Sequence, residues 1–261
     1  MANGIIVRPL HSLEDFHRCV RIARAVWGDS ELDTEPHVTY VIADHTGGQV
    51  LGAFDGDTLV GFIKAFVGLH DHTPYLHSHM AAVLPSHRDH GIGRQLKLFQ
   101  REDALRRGIR LIEWTFDPLE TKNAYFNINR LGAISRRYIP DFYGVTTSPL
   151  HRAMPTDRLL VEWHLDSPRV VSALNGLTRE THACPAQVHL PIPLPDSVAS
   201  PSLAQSASPQ ANAASSDSPL LDLQSRIRSE FTHWFAKGYA VTAVRVSPTG
   251  VDYCLSPYSD F

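Results

Sequence analysis

Ser86 to Leu96 reads SHRDHGIGRQL. Two glycines, Gly91 and Gly93, stand behind Arg88 and open a segment whose apolar residues Ile92, Leu96 and Phe99 recur at helical spacing. Just ahead of it, YLHSHMAAVLP (75–85) reads as a strand ending at Pro85. A turn between a strand and a helix can aim several backbone N–H groups at one point, where the helix dipole also favours negative charge. Glycine admits φ > 0 there and puts no Cβ between the backbone and a bound phosphate. Arg94, Lys97, Arg101, Arg106 and Arg107 on the helix suit a further phosphate, and equally suit a solvated basic face. Taken alone the stretch is a turn or an anion site, and its surroundings have to decide.

Working outward, helices and strands alternate. GIIVRPL (4–10) is a short strand; Ser12 and Asp15 form a capping box for a helix whose face is Leu13, Phe16, Val20, Ala23 and Trp27. QVLGAFDGDTLVGFIKAFVGL (49–69) reads as two strands turning at Asp55-Gly56-Asp57. The helix after the glycines ends at Gly108, IRLIEWTFD (109–117) is a strand, and LETKNAYFNINRL (119–131) is a helix stopped by Gly132. In DRLLVEWHLD (157–166), Leu159, Val161, Trp163 and Leu165 alternate with Leu160, Glu162 and His164. The order β-α-β-β-β-α-β-α-β predicts an α/β chain with a mixed sheet and helices on both faces.

Composition bounds the rest. The 261 residues are 43% hydrophobic and 20% charged, with a formal net charge of -3, and the pI near 6.6 gives no electrostatic reason to expect nucleic acid or an anionic membrane as partner. Cys19, Cys184 and Cys254 are few and far apart, so they predict neither a disulfide framework nor a zinc cassette, and a reducing, cytoplasmic setting follows. The first residues, MANGIIVRPL, lack a basic-then-apolar leader, and no apolar run is long enough to span a membrane. From Ala183 onward Pro, Ser and Ala dominate, which predicts a linker over 183–218. Beyond it, Leu221, Ile227, Phe231 and Trp234 suggest a helix stopped by Gly238, and Val241, Val244, Val246 and VDYCL a hairpin. Three regions are expected: a main domain over 1–182, the linker, and a small α/β extension over 219–261 that packs on the main domain.

The pattern Val83-x-Pro85-x-x-Arg88-x-x-Gly91-x-Gly93, after three antiparallel-looking strands and before an amphipathic helix, resembles the acyl-coenzyme A loop of the GNAT acyltransferase superfamily. The resemblance covers roughly residues 4 to 165 in element order. EWTFDPLETKNAYFNINRLGA, YG and DRLLVEW are further similar to a bacterial branch of acyltransferases, some associated with acylation, including succinylation, of amino acid amines. The resemblance implies a mostly antiparallel sheet with splayed central strands. It implies acetyl-CoA or another acyl-CoA as substrate, a small-molecule amine as acceptor, no metal, and a homodimer as one option. Arg88, Asp89, His90, Gly91, Ile92, Gly93 and Arg94 would hold the pyrophosphate. The strand 76–83 would part from 110–116 to admit the pantetheine arm, with an N–H near Ala81, Ala82 or Val83 on the thioester carbonyl.

Acyl transfer to an ammonium then asks for a base, and the leaving thiolate for an acid. His77 and His79 are two apart on a strand and so are expected on one face with Ala81. An imidazole exchanges protons near neutral pH; a hydrogen-bonded sheet histidine is the plainer reading of either. Glu113 and Asp117 are alternative bases, and a structural ion pair or cap suits them at least as well. In the family's usual pattern a tyrosine stands where this chain has Ile128, leaving Tyr125, Tyr138 and Tyr143 as candidate acids or simply as core and rim aromatics. Asn123 and Asn127, four apart, could meet the pantetheine amides or serve as caps. Two competing readings are a GNAT fold that binds acyl-CoA without turnover, and a metal site built from His70-x-His72 and His77-x-His79.

Overall fold

The computed structural model describes residues 4–28, 34–144, 154–177, 184–192, 218–247 and 249–258. The chain forms two compact units that divide between Trp114 and Thr115. Most of the segment read as a linker, and residues 29–33 and 145–153, lie outside the described residues.

The first unit holds β1 (Ile5–Pro9), α1 (Leu13–Trp27), α2 (Val38–His45), β2 (Gln49–Asp55), β3 (Thr58–His70), β4 (Thr73–Val83), a 3-10 turn (Pro85–His87), α3 (Ile92–Arg106) and the start of β5 (Leu111–Phe116). Its strand order is β1-β2-β3-β4-β5. Every pairing is antiparallel except β4 with β5. Alternation along β2 and β3 builds two cores. Val50, Phe54 and Phe62 meet Phe16, Cys19 and Ile22 of α1 and Tyr40 and Ala43 of α2. Leu51, Ala53, Val60 and Ile63 meet Ile92 and Leu96 of α3. Buried on both faces, these strands are continuous apolar runs rather than alternating ones.

Local signals fix the helix ends. Ser12 Oγ accepts a 3.1 Å hydrogen bond from the Asp15 N–H, and Gly28 closes α1 in the left-handed region. The stripe α1 buries is Phe16, Cys19, Ile22 and Ala23; Leu13, expected on it, is 59% exposed. The sequence reading had no helix at α2, whose VTYVIADH is rich in β-branched residues. It is helical because Tyr40 and Ala43, three apart, are both fully buried against the sheet.

The second unit holds the end of β5, α4 (Thr121–Tyr125) running into a π-turn (Phe126–Arg130), β6 (Ile134–Ile139), β7 (Arg158–His164), α5 (Pro168–Leu174), β8 (Ala186–Leu190), α6 (Ser218–Ala236), β9 (Tyr239–Ser247) and β10 (Gly250–Pro257). Its strands lie in the order β7-β6-β9-β10-β8. The terminal helix and hairpin are thus integral to a sheet, joined to β6 at Ser135–Val241. Gly132, at φ +74°, packs so closely on α5 that a Cβ there would meet Ala173 Cβ at 2.8 Å.

Two expectations are corrected in this unit. Ala186–Leu190, inside the expected linker, pairs with β10, because Ala186, Val188 and Leu190 alternate inward among the prolines. Cys184 and Cys254 form a disulfide, since β8 lies beside β10 and brings residues 70 apart together. Sequence spacing carried no sign of that, and the cysteine argument for a reducing compartment loses its ground. Among the described residues no helix is long and apolar enough to cross a membrane.

Candidate functional site

The site in the first unit starts from an irregularity in β4. Lys64 of β3 faces Met80 and Ala65 faces Ser78, so His79 is an extra residue with no partner across the pair, a β-bulge. The bulge reverses which face the strand presents. Before it, Ser78 points to α3, reaching Lys97 and Gln100. After it, Met80 and Ala82 pack with Tyr40 and Phe62 toward α1 and α2, whereas Val83 packs with Ile92 and Leu96 of α3. His79 therefore does not share a face with Ala81, contrary to the plain two-residue period. His77 and His79 remain neighbours, their rings 6.1 Å apart.

β4 also parts from β5. The parallel pairing consists of Leu76–Ile112 and His77–Glu113 and stops there, while β4 runs on to Val83. The expected splay of the central strands thus begins at Ser78. The Leu84 N–H donates to Val60 O on β3 at 2.9 Å. Backbone groups alternate along a strand, so the Ala82 N–H also faces β3 and those of Ala81 and Val83 face the opening.

At the end of β4 the glycine segment begins α3. Gly91 is the N-cap, left-handed at φ 79°, with no side chain capping the helix; the first intrahelical bond runs from the Gln95 N–H to Gly91 O at 3.0 Å. The N–H groups of Ile92, Gly93 and Arg94 thus precede the ladder and point out of the helix start. A Cβ added at Gly91 or Gly93 would meet nothing within 4 Å. Open space beside uncapped N–H groups suits a bound phosphate. Arg88 Nε donates to Val83 O at 3.3 Å, and Asp89 sits at φ 64°.

The bulge places His79 against a residue the sequence reading missed. His79 Nε2 bonds the carboxylate of Glu35, which also accepts from Lys64 Nζ and, at 3.0 Å, from Thr39 Oγ1. Burial alone would raise the Glu35 pKa; the hydrogen bonds from His79 and Lys64 outweigh it and bring it down to about 2. Lys64 is fully buried, its ammonium 4.4 Å from the Tyr40 ring centre, and burial pulls its pKa down against the pull of Glu35. With Nε2 turned to the carboxylate, the other ring nitrogen of His79, Nδ1, is the proton acceptor. His77 differs. Burial, then the charges of His79 and Lys97, push its pKa down to about 4, so it is neutral at neutral pH.

The remaining candidates divide by unit. Glu113 is buried and meets His70 Nε2 at 3.1 Å, and His70 stacks on Tyr75. His72 lies in the turn after β3 at φ 68°, off the strand face of His70, and among the described residues no three His, Cys, Asp or Glu side chains converge as a metal set. Asp117, Asn123, Tyr125, Asn127, Tyr138 and Tyr143 belong to the second unit. Asp117 Oδ1 accepts from the Leu119 N–H at 2.8 Å, a turn cap. Asn123 is exposed and Asn127 buried, because the π-turn beginning at Phe126 breaks the four-residue repeat. Tyr138 donates to Asp157 at 2.7 Å and stacks on Phe231, a core role. Tyr143 Oη lies 3.0 Å from Thr115 Oγ1, and Tyr125 lies under Arg130.

Residues 13–127 match the Acetyltransferase (GNAT) family. These residues form a GNAT domain. A GNAT-family structure from Desulfovibrio desulfuricans matches at 15% identity and TM-score 0.50, over 62% of this chain and 99% of its own. Salmonella typhimurium yncA, solved with its cofactor acetyl-CoA, matches at 17% and 0.50, over 63% of this chain and 96% of its own. A NatC complex bound to Gag peptide and CoA matches at 16% and 0.51, over 62% and 98%. At such identities these structures share the fold. No curated protein sequence matches the chain. Within the GNAT domain, Glu35 and Lys64 carried no local signal: one precedes α2 and the other sits mid-strand in an apolar run, where a lone lysine is the one available hint.

Proposed function

We propose that this chain is an acyl-CoA-dependent N-acyltransferase. It moves an acetyl group or another short acyl group, succinyl among them, to the amine of a small molecule such as an amino acid, by direct attack on the thioester. The observation that carries the reading is His79, set on the β4 bulge against Glu35, in the same unit as the uncapped start of α3. Backbone N–H groups from Arg88 to Gly93 hold the pyrophosphate, with the α3 dipole adding to the attraction. The pantetheine arm lies in the opening beside Ser78 to Val83, and the N–H of Ala81 faces the thioester oxygen, where negative charge develops.

His79 is the base in this reading. Its Nδ1 takes a proton from the acceptor ammonium, and the Glu35 carboxylate faces the charge that appears on the ring. His77, its pKa down at about 4, is too weak a base to serve at neutral pH. Binding of CoA tests the first half of the reading by calorimetry: the wild-type chain binds it and Gly93→Asp does not. Failure of the wild-type chain to bind CoA or acetyl-CoA would sink it.

A further inference from the structure

Lys97 is buried and the mechanism above leaves it unused. Its ammonium donates to Ser78 Oγ at 2.9 Å and to Gln100 Oε1 at 3.1 Å, and lies 3.9 Å from the Trp114 ring centre. Ser78, Lys97, Gln100 and Trp114 are each no more than 7% exposed. Among the described residues no carboxylate faces this ammonium. From β4 it meets Ser78 and feels His77, from β5 it meets Trp114, and from its own helix Gln100. Gln100 Nε2 is buried without a hydrogen-bond partner, as is Gln49 Oε1, which belongs to the same polar cluster beneath α3. Burying an ammonium among neutral groups costs stability and marks the group as a candidate for chemistry.

Its position says which chemistry. Ser78 is the first β4 residue beyond the parallel pairing with β5, at the vertex of the opening. From Ser78 to Val83, next to the α3 start, β4 covers five steps, about 17 Å at 3.3 Å per residue. An extended pantetheine arm anchored at Gly91–Gly93 and lying back along β4 brings its sulfur to this vertex.

We infer that Lys97, acting through the Ser78 hydroxyl, is the proton donor to the CoA thiolate as it leaves. This rests on the acyl-CoA reading above. The amine lone pair forms the C–N bond, the C–S bond breaks, and its electron pair goes to sulfur. The Ser78 hydroxyl proton, now on the weak 3.3 Å contact to Gln100 Oε1, passes to sulfur while Lys97 Nζ gives a proton to Ser78. Lys97, left as the neutral amine, regains a proton from solvent when CoA departs. Burial, which pushes the Lys97 pKa down to about 7, makes the ammonium a ready donor near neutral pH.

The test needs no acceptor. The full-length chain is loaded with CoA, and the bound thiol is titrated by its ultraviolet thiolate absorbance in wild type, Lys97→Met and Ser78→Ala. An adjacent ammonium stabilises thiolate, so the midpoint is expected at least about one pH unit lower in wild type than in Lys97→Met, a tenfold difference in thiolate at fixed pH. Ser78→Ala, which keeps the ammonium, is expected between the two and serves alone if Lys97→Met does not fold. Equal midpoints with CoA bound in every protein overturn the role of Lys97 and leave the acyl-CoA reading standing. No CoA binding by wild type overturns both.

Discussion

The Glu35 carboxylate lies against Nε2 of His79, a residue 44 positions away that a β-bulge turns toward it. The same carboxylate neutralises Lys64, so one side chain serves a candidate base and a buried cation. Glu35→Gln is expected to lower kcat roughly 10- to 100-fold, part of the 10²–10⁴ that acid–base catalysis supplies. It also strands the fully buried Lys64 ammonium, at a cost of roughly 3 kcal/mol, the low end for a broken buried pair because Glu35 is partly exposed. Adding Lys64→Met should restore stability in urea unfolding and leave the rate low. A double variant with full activity would remove Glu35 from the mechanism.

The Glu35 pKa, about 2 when folded against an ordinary 4.5, ties stability to acid pH. Its contribution is complete above the ordinary value and disappears as pH falls through the folded one, because the unfolded chain takes up the proton first. Between pH 4.5 and 2 the wild-type stability should therefore fall more steeply than that of the Glu35→Gln, Lys64→Met double variant. Parallel curves from urea unfolding across that window would contradict the assignment.

Lys97 costs stability where Glu35 adds it, though both contributions grow more favourable as pH rises. Its ordinary value is 10.5 and its folded value about 7. Between these the unfolded chain holds a proton that the folded chain lacks, so stability climbs as pH rises from 7 to 10.5. Below pH 7 the whole cost of the buried ammonium is present. Lys97→Met should abolish that climb and stabilise the protein by roughly 1–4 kcal/mol at pH 7 and below, the gain seen when buried ions become apolar. A residue that weakens the fold fits a catalytic purpose. Loss of stability at pH 7 in Lys97→Met would argue for a structural lysine.

Gly91 and Gly93 separate two effects that the sequence alone confounds. Asp at either position sets a carboxylate where a phosphate would bind. At Gly91 it must also adopt φ 79°, whereas at Gly93 the added side chain meets open space. Thermal unfolding should show Gly93→Asp within about 0.5 kcal/mol of wild type, as a surface change, and Gly91→Asp lower by about 1 kcal/mol. Equal stability of the two variants would mean the loop is not held as described.

The Cys184–Cys254 disulfide closes a separation of 70 residues that includes α6 and β9. Loop-closure entropy for such a length predicts that reduction costs roughly 4 kcal/mol. Thermal unfolding with and without reductant, with alkylation to count thiols, checks it. An unchanged Tm with all three thiols free would mean the bridge carries no stability.

Much of this was legible in residue order. Helical spacing in Phe16–Ala23 and Ile92–Leu96, the Asp55-Gly56-Asp57 turn and the glycine segment each have local causes, and the structure has an element at each. What escaped had non-local causes. The helix at Val38–His45 is imposed by burying Tyr40 and Ala43 over the sheet. Ala186–Leu190 becomes a strand because β10 lies beside it, and the disulfide follows from that pairing. A bulge cannot be read from LHSHMA, since one extra residue on β4 shows only against its partner β3. Glu35, Lys64 and Lys97 act through neighbours 19 to 44 positions away, beyond any motif.

Thiol release tests the central claim most directly. Acetyl-, propionyl- and succinyl-CoA are offered with a panel of amino acids and polyamines to wild type, His79→Ala and His77→Ala across pH 6 to 9, about the span in which a histidine base works. The account predicts amine-dependent release by wild type with at least one acyl-CoA, a loss of about 10²-fold or more in His79→Ala, and a much smaller loss in His77→Ala. Full activity in His79→Ala, or no release with any pair while CoA binds, would contradict it.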